Sequence, residues 1–310
     1  MAGPTVGAVA VAALVAGLLA GPASADSTTV DPTTEPTVPT ATTPPSTATP
    51  STATPSTATP TTATPTTTTP TTPAPTTAPT TAAPTAKPVR YVTRKITVGK
   101  SRRGRPIVAY FKGDPAAQHV VLVLGQMHGD EKAGPRTARW IVRHLRPRAG
   151  TGLWVIPTMN PDGAKRGTRT NAAGVDLNRN WPTSGWIRGT KGSRTYGGPK
   201  RASEPETRAM MRFLRRYRPD YIASIHQPLK GIGKSGKDAG FERRLAANLG
   251  LRRKHFGVRH GRGTSPTMTG WYNRTLGRHG TAITIEYGRK PSTAFVTSRA
   301  GRGILRAARL

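Results

Sequence analysis

Cysteine is absent from all 310 residues. That excludes a disulfide framework, a cysteine-ligated zinc, an iron–sulfur cluster and a thiol nucleophile, so any metal must be held by histidine and carboxylate. Negative charge is also scarce, with 14 Asp+Glu against 47 Lys+Arg. Residues 1–86 contain no Lys or Arg and only the acids Asp26, Asp31 and Glu35. Residues 87–310 therefore hold 14 − 3 = 11 acids and all 47 bases, a net charge of 47 − 11 = +36. Long apolar runs are missing too. The run from Val6 to Ala20 falls short of the ~20 residues a membrane-spanning helix needs.

The first 87 residues divide by composition. After the Val/Ala/Gly/Leu run, Ala23-Ser24-Ala25 fits the small-x-small pattern of a cleavage site, so residues 1–25 are expected to be an export signal. Its leading segment lacks the usual Lys or Arg. Residues 26–87 are almost entirely Thr, Pro, Ala and Ser, with prolines at 50, 55, 60, 65 and 70. Proline at every fifth position blocks helix and sheet, and nothing apolar is available to bury. A semi-rigid, polyproline-like spacer is expected, carrying a secreted domain at 88–310 within or beyond a cell wall.

From residue 88 the pattern is that of a folded domain. His119–Gly125 forms an apolar run suited to a strand buried on both faces, and 153–157, 221–225 and 281–285 read likewise. Between them lie helical patterns. In residues 135–145, Ala138, Ile141, Val142 and Leu145 share one face while Arg136, Arg139 and Arg143 fall largely on the other. Ser203-Glu204-Pro205-Glu206 reads as a capping box opening a helix that runs to Tyr217. Further helices are expected at 239–250 and 292–309, and a small edge hairpin at 94–105. The alternation predicts a three-layer α/β/α domain with a mixed, mostly parallel central sheet.

The polar residues cluster after these strands. His128 and Glu131 follow the first, Asn160 and Asp162 the second, His226 the third, and Glu286 ends the fourth. Open α/β sheets bind ligands beyond the carboxyl ends of their strands, so one rim receives all of them. A turn at Gly129 would let His128 and Glu131 converge on one ion, with His226 completing the two-histidine, one-glutamate set of hydrolytic zinc. Taken singly, a His-x-x-Glu is more often a surface pair, and His226 more often a satisfied core histidine. Asn160 and Asp162 read as turn formers.

The stretch Asn160-Pro161-Asp162-Gly163, then Arg169-Thr170-Asn171, then Gly174-Val175-Asp176-Leu177-Asn178-Arg179-Asn180-Trp181 carries more information. With His128-Gly129-Asp130-Glu131, Ser224-Ile225-His226 and Thr284-Ile285-Glu286 it resembles the zinc metallocarboxypeptidases of the carboxypeptidase A type, most of all their bacterial murein peptide amidase branch. The resemblance spans residues 90–310 and implies a carboxypeptidase-like, phosphorylase/hydrolase-like fold with one Zn2+. It implies His128, Glu131 and His226 as zinc ligands, Arg169 as the cation facing the developing oxyanion, Asn178 and Arg179 as the grip on the substrate's terminal carboxylate, and Glu286 as general base. Arg179 has a competing reading as an internal salt bridge to Asp176. The mobile tyrosine of the larger digestive enzymes has no good counterpart, Tyr272 being the nearest.

The implied substrate is a peptide, specifically a murein stem peptide cut between γ-D-glutamyl and diaminopimelate, where a free carboxylate adjoins the amine released. The basic surface would also suit anionic cell-wall polymers in a salt-dependent way. The protein is expected to act as a monomer, without nucleic acid, for which no motif is present. Two rivals stand beside this reading. One is a carboxypeptidase removing C-terminal L-amino acids from extracellular peptides. The other is a non-catalytic polyanion-binding module, which predicts no bound metal.

Overall fold

The computed structural model describes residues 90–258 and 260–310. The expected export signal and spacer lie outside these residues.

The described residues open with strands β1 (Val92–Lys100) and β2 (Pro106–Gly113), an antiparallel hairpin longer than the sequence suggested. Strand β3 (His119–Leu124) leads into helix α1 (Ala133–His144), and β4 (Thr151–Ile156) into the short α2 (Pro161–Arg166). After a long irregular segment come α3 (Pro205–Tyr217), β5 (Tyr221–His226), β6 (Leu229–Gly233), α4 (Ala239–Leu249) and β7 (Arg253–Lys254). Helix α5 (Met268–Thr275) and β8 (Thr281–Gly288) follow, then a π-helical turn (Phe295–Arg299) continuing into α6 (Ala300–Ala307).

The strands form one sheet in the order β1-β2-β4-β3-β5-β8-β6-β7. The central four, β4-β3-β5-β8, are parallel, and antiparallel ladders join them to β2 on one side and β6 on the other. Period-two alternation divides the strand side chains between two cores. Val121, Val123, Ala223, Ile225, Ile283 and Ile285 pack against α1, α4 and α6. Leu122, Leu124, Trp154, Ile156, Ile222 and Ala282 pack against α3 and α5. A sheet buried on both faces explains the unbroken apolar runs of its central strands, and the three layers are those expected.

Helix α1 buries Ala138, Ile141 and Leu145 and exposes Arg136, Arg139 and Arg143, as its periodicity requires. The capping box is not formed. Glu204, not Ser203, precedes the first turn of α3, and its side chain makes no cap. Glu206 is instead fully buried, accepting from the Arg102 N–H at 2.9 Å and from Asn171 Nδ2 at 3.2 Å. Tertiary partners have taken the carboxylate that local capping would use. Asn160 does cap a helix: its Oδ1 accepts from Gly163 N at 2.9 Å and opens α2. Asp162 in that helix is held by Arg105 Nη1 at 2.6 Å and the Arg103 N–H at 2.9 Å. Both are structural, as the sequence suggested.

Candidate metal centre and active site

Three parallel strands bring the site together. His128 and Glu131 occupy the loop after β3, His226 is the last residue of β5, and Glu286 lies directly opposite His226 in the register of β8. The β3 loop is shaped by Gln126, whose Nε2 donates to the carbonyls of Gly129 (3.2 Å) and Glu131 (3.1 Å). Gly129 presses against α2: a Cβ there would lie 2.0 Å from the Gly163 carbonyl carbon. Glycine is what permits this approach and so turns His128 and Glu131 toward one point.

His128, Glu131 and His226 are all buried, and each offers a ligand atom within 4.8 Å of the others. His128 Nδ1 lies 2.6 Å from Glu131 Oε1, His226 Nδ1 lies 3.1 Å from Glu131 Oε2, and the two Nδ1 atoms are 3.2 Å apart. The outward nitrogens are engaged elsewhere, His128 Nε2 by Asp176 Oδ1 at 3.0 Å and His226 Nε2 by Ser224 Oγ at 3.1 Å. Such outer partners fix ring orientation and leave the inner nitrogens for a metal. Burial disfavours a charged His128, but Asp176 and Glu131 outweigh it and raise its pKa to about 9. Burial likewise opposes ionisation of Glu131, yet the two histidines bring it down to about 2. Two imidazoles and an ionised carboxylate, inward atoms converging, fit a zinc ion by number and type of ligand.

Arg169 stands beside the triad. It donates to Asp176 Oδ2 through Nη2 (3.0 Å) and Nε (3.3 Å), while its Nη1 lies 3.4 Å from Glu131 Oε1. The salt bridge considered for Arg179 is therefore made by Arg169. Among the described residues the Arg179 side chain hydrogen-bonds its neighbour alone, Nη1 donating to Asn178 O at 3.0 Å. Burial lowers its pKa, Asp176 opposes that, and Arg169 adds to it. A half-buried guanidinium with unused donors suits an anionic ligand. Asn178 Oδ1 accepts from Met268 N at 3.1 Å, which leaves its amide donors toward the cleft.

Glu286 is buried, and Oε2 accepts from Leu229 N at 3.2 Å. Burial pushes its pKa up, against the pull of His226 and that hydrogen bond. Glu286 opens with all six other candidates onto one cleft of about 640 Å³. Tyr272 does not line it. Its ring is fully buried and its hydroxyl donates to Pro219 O, so it is a packing residue. The cleft wall around 256–260 presents Phe256, Val258 and His260 instead. Sequence reasoning left Asp176 out of the site. Its signal was weak: a single acid inside a motif whose other members carried the attention.

Comparison with known proteins agrees with this geometry. The family model described as Zinc carboxypeptidase matches residues 85–232. That span contains the three metal-ligand candidates, Arg169, Asn178 and Arg179, and ends before Glu286. Murein peptide amidase A of Escherichia coli (strain K12) is 35% identical over 145 residues, covering 43% of this chain and 59% of that protein. Murein peptide amidase A of Vibrio campbellii (strain ATCC BAA-1116) is 35% identical over 142 residues, 42% of this chain and 56% of that one. The chain thus matches less than two thirds of the length of these curated relatives. Among solved structures, murein-tripeptide amidase MpaA from Escherichia coli O157 aligns at a TM-score of 0.56 with 26% identity, over 71% of this chain and 97% of that one. Carboxypeptidase A from Helicoverpa armigera aligns at 0.58 with 18% identity, over 70% and 68%, a likeness of fold. Residues 85–232 thus match a zinc carboxypeptidase domain, and the chain is similar to the murein peptide amidases in sequence and in fold.

Proposed function

We propose that this domain is a zinc-dependent peptidase that hydrolyses an amide bond next to a free terminal carboxylate, with murein peptides as substrates and the γ-D-glutamyl–diaminopimelate bond as the bond cut. The observation that carries the reading is the convergence of His128, Glu131 and His226, with Arg179, Asn178 and Glu286 opening onto the same cleft. The names of the murein peptide amidases it resembles support the choice of substrate.

Zinc held by the triad supplies a Lewis acid and an acidified water. Arg179 and the Asn178 amide hold the terminal carboxylate, which fixes the amide beside it in the cleft. Glu286 takes a proton from the attacking water and passes it to the departing amine, and its burial-raised pKa suits both directions of transfer. Arg169 places a permanent cation beside the triad, where charge develops on the carbonyl oxygen. Asp176 holds both Arg169 and His128, so one carboxylate aligns the oxyanion cation with a metal ligand.

The proposal extends to location. The domain is exported, and its net charge of 47 − 11 = +36 over residues 87–310 retains it on anionic wall polymers. The test is digestion by the zinc-loaded full chain of L-Ala-γ-D-Glu-meso-diaminopimelate, beside the same peptide with the carboxylate next to the scissile amide converted to an amide. Cleavage of the first with release of free diaminopimelate, and at least tenfold slower cleavage of the second, is expected from loss of a charge-assisted contact. Equal rates would remove the role given to Asn178 and Arg179.

A further inference from the structure

The cleft extends from Glu286 back along β8, past Thr284 to Ala282. At roughly 3.3 Å per residue that stretch covers about 13 Å. Helix α5 runs along it in the opposite sense. Thr269 Oγ1 lies 3.4 Å from Thr284 Oγ1, near the Glu286 end. One turn later Asn273 grips the backbone of Ala282, its Nδ2 donating to the carbonyl at 2.9 Å and its Oδ1 accepting from the N–H at 2.7 Å. Arg274, next in the helix, therefore lines the cleft at the end remote from Glu286, with its side chain exposed. Lys237, from the loop between β6 and α4, reaches the same end. Its Cε would lie 2.9 Å from a Cβ placed on Gly277, three residues past Arg274.

Neither cation is paired with a carboxylate among the described residues. Asp238, beside Lys237, is turned away to cap α4 through Phe241 N at 2.8 Å. The acids that line the cleft are Glu131 and Glu286, both at the reactive end, and hydroxyls of Thr267, Thr269 and Thr284 line the stretch between. A side chain of the released residue that enters this arm passes neutral donors and meets positive charge at its tip.

We propose that Arg274 and Lys237 form a cationic end to the cleft that receives a carboxylate at the tip of the released residue's side chain, and so set specificity for a diacid over its mono-acid counterpart. This rests on the peptidase reading above and adds the determinant of which residue is released. Diaminopimelate and lysine share a carbon chain and both amines and differ in the second carboxylate alone, so they isolate the contact.

The experiment compares kcat/KM for L-Ala-γ-D-Glu-meso-diaminopimelate and L-Ala-γ-D-Glu-L-Lys with the zinc-loaded full chain and with R274Q, K237Q and the double variant. The wild type is expected to favour the diaminopimelate peptide by about tenfold or more, the yield of a charge-assisted contact. The double variant is expected to bring the ratio close to one. A wild-type ratio near one, or a ratio that the double variant leaves unchanged, overturns the assignment while the peptidase reading stands. Cleavage of neither peptide by zinc-loaded protein overturns both.

Discussion

His128 Nε2 lies 3.0 Å from Asp176 Oδ1, on the side of the ring that faces away from Glu131 and His226. The same carboxylate holds Arg169 and accepts from the Asn178 N–H at 2.8 Å. His128, Arg169 and Asn178, the proposed metal ligand, oxyanion cation and part of the carboxylate grip, therefore hang on one fully buried acid. Asp176→Asn should weaken zinc binding by about 10–100-fold, as loss of an outer partner of a ligating histidine does. Competition titration against a chelator measures it, and an unchanged affinity would show that Asp176 does not orient the ligand.

Glu286→Gln tests the proton transfer. Glutamine can keep the contact with Leu229 N but cannot accept a proton, so kcat should fall by about 10²–10⁴-fold with zinc retained. Zinc content and kcat are measured on one preparation. Turnover near the wild-type rate would require another base.

Gly129→Ala tests the turn that brings His128 to Glu131. The added methyl would meet the Gly163 backbone at 2.0 Å, with no flexible side chain to give way. Overpacking of this kind costs about 1–3 kcal/mol or more. A lower melting temperature together with weaker zinc binding is expected, and a variant indistinguishable from wild type in both would mean the loop has another course.

Asp162 gives a pH-dependent stability. Burial would raise its pKa, but hydrogen bonds from Arg105, the Arg103 N–H and Ser101 outweigh that and leave it below the usual aspartate value. A carboxylate depressed in the folded state stabilises the fold above its unfolded value, near 3.8, and that contribution is lost as pH falls through the folded value. Asp162→Asn should therefore cost about 1–3 kcal/mol at neutral pH, with the gap to wild type closing below pH ~4. Denaturant midpoints of both proteins from pH 7 to pH 3 give the curve. A gap that widens on acidification would contradict the assignment.

Much of this site was legible because strand ends are legible. An apolar run that stops at a polar residue marks both the strand and its rim, and His226 and Glu286 were placed by that pattern alone before the register put them side by side. The short β6 and β7 left little trace, since two to five residues with exposed Lys and Arg show no alternation. The capping box at Ser203 failed for a tertiary reason: Glu204 and Glu206 both turn inward to Asn171, a partner some thirty residues earlier in the chain. Asp176 was missed for the same reason, because its importance lies in burial and in two partners that sequence spacing does not connect. The cationic arm at Arg274 was illegible in a domain so rich in arginine, where only the cleft separates a binding cation from a solvated one.

The central claim is one metal held by three side chains. Metal analysis of the purified full chain and of His226→Ala, after equilibration with limiting zinc and removal of excess, tests it directly. One zinc per wild-type chain and a loss of most of it in the variant is the result expected. A wild-type protein that keeps no zinc, or a variant that holds as much as wild type, would contradict it.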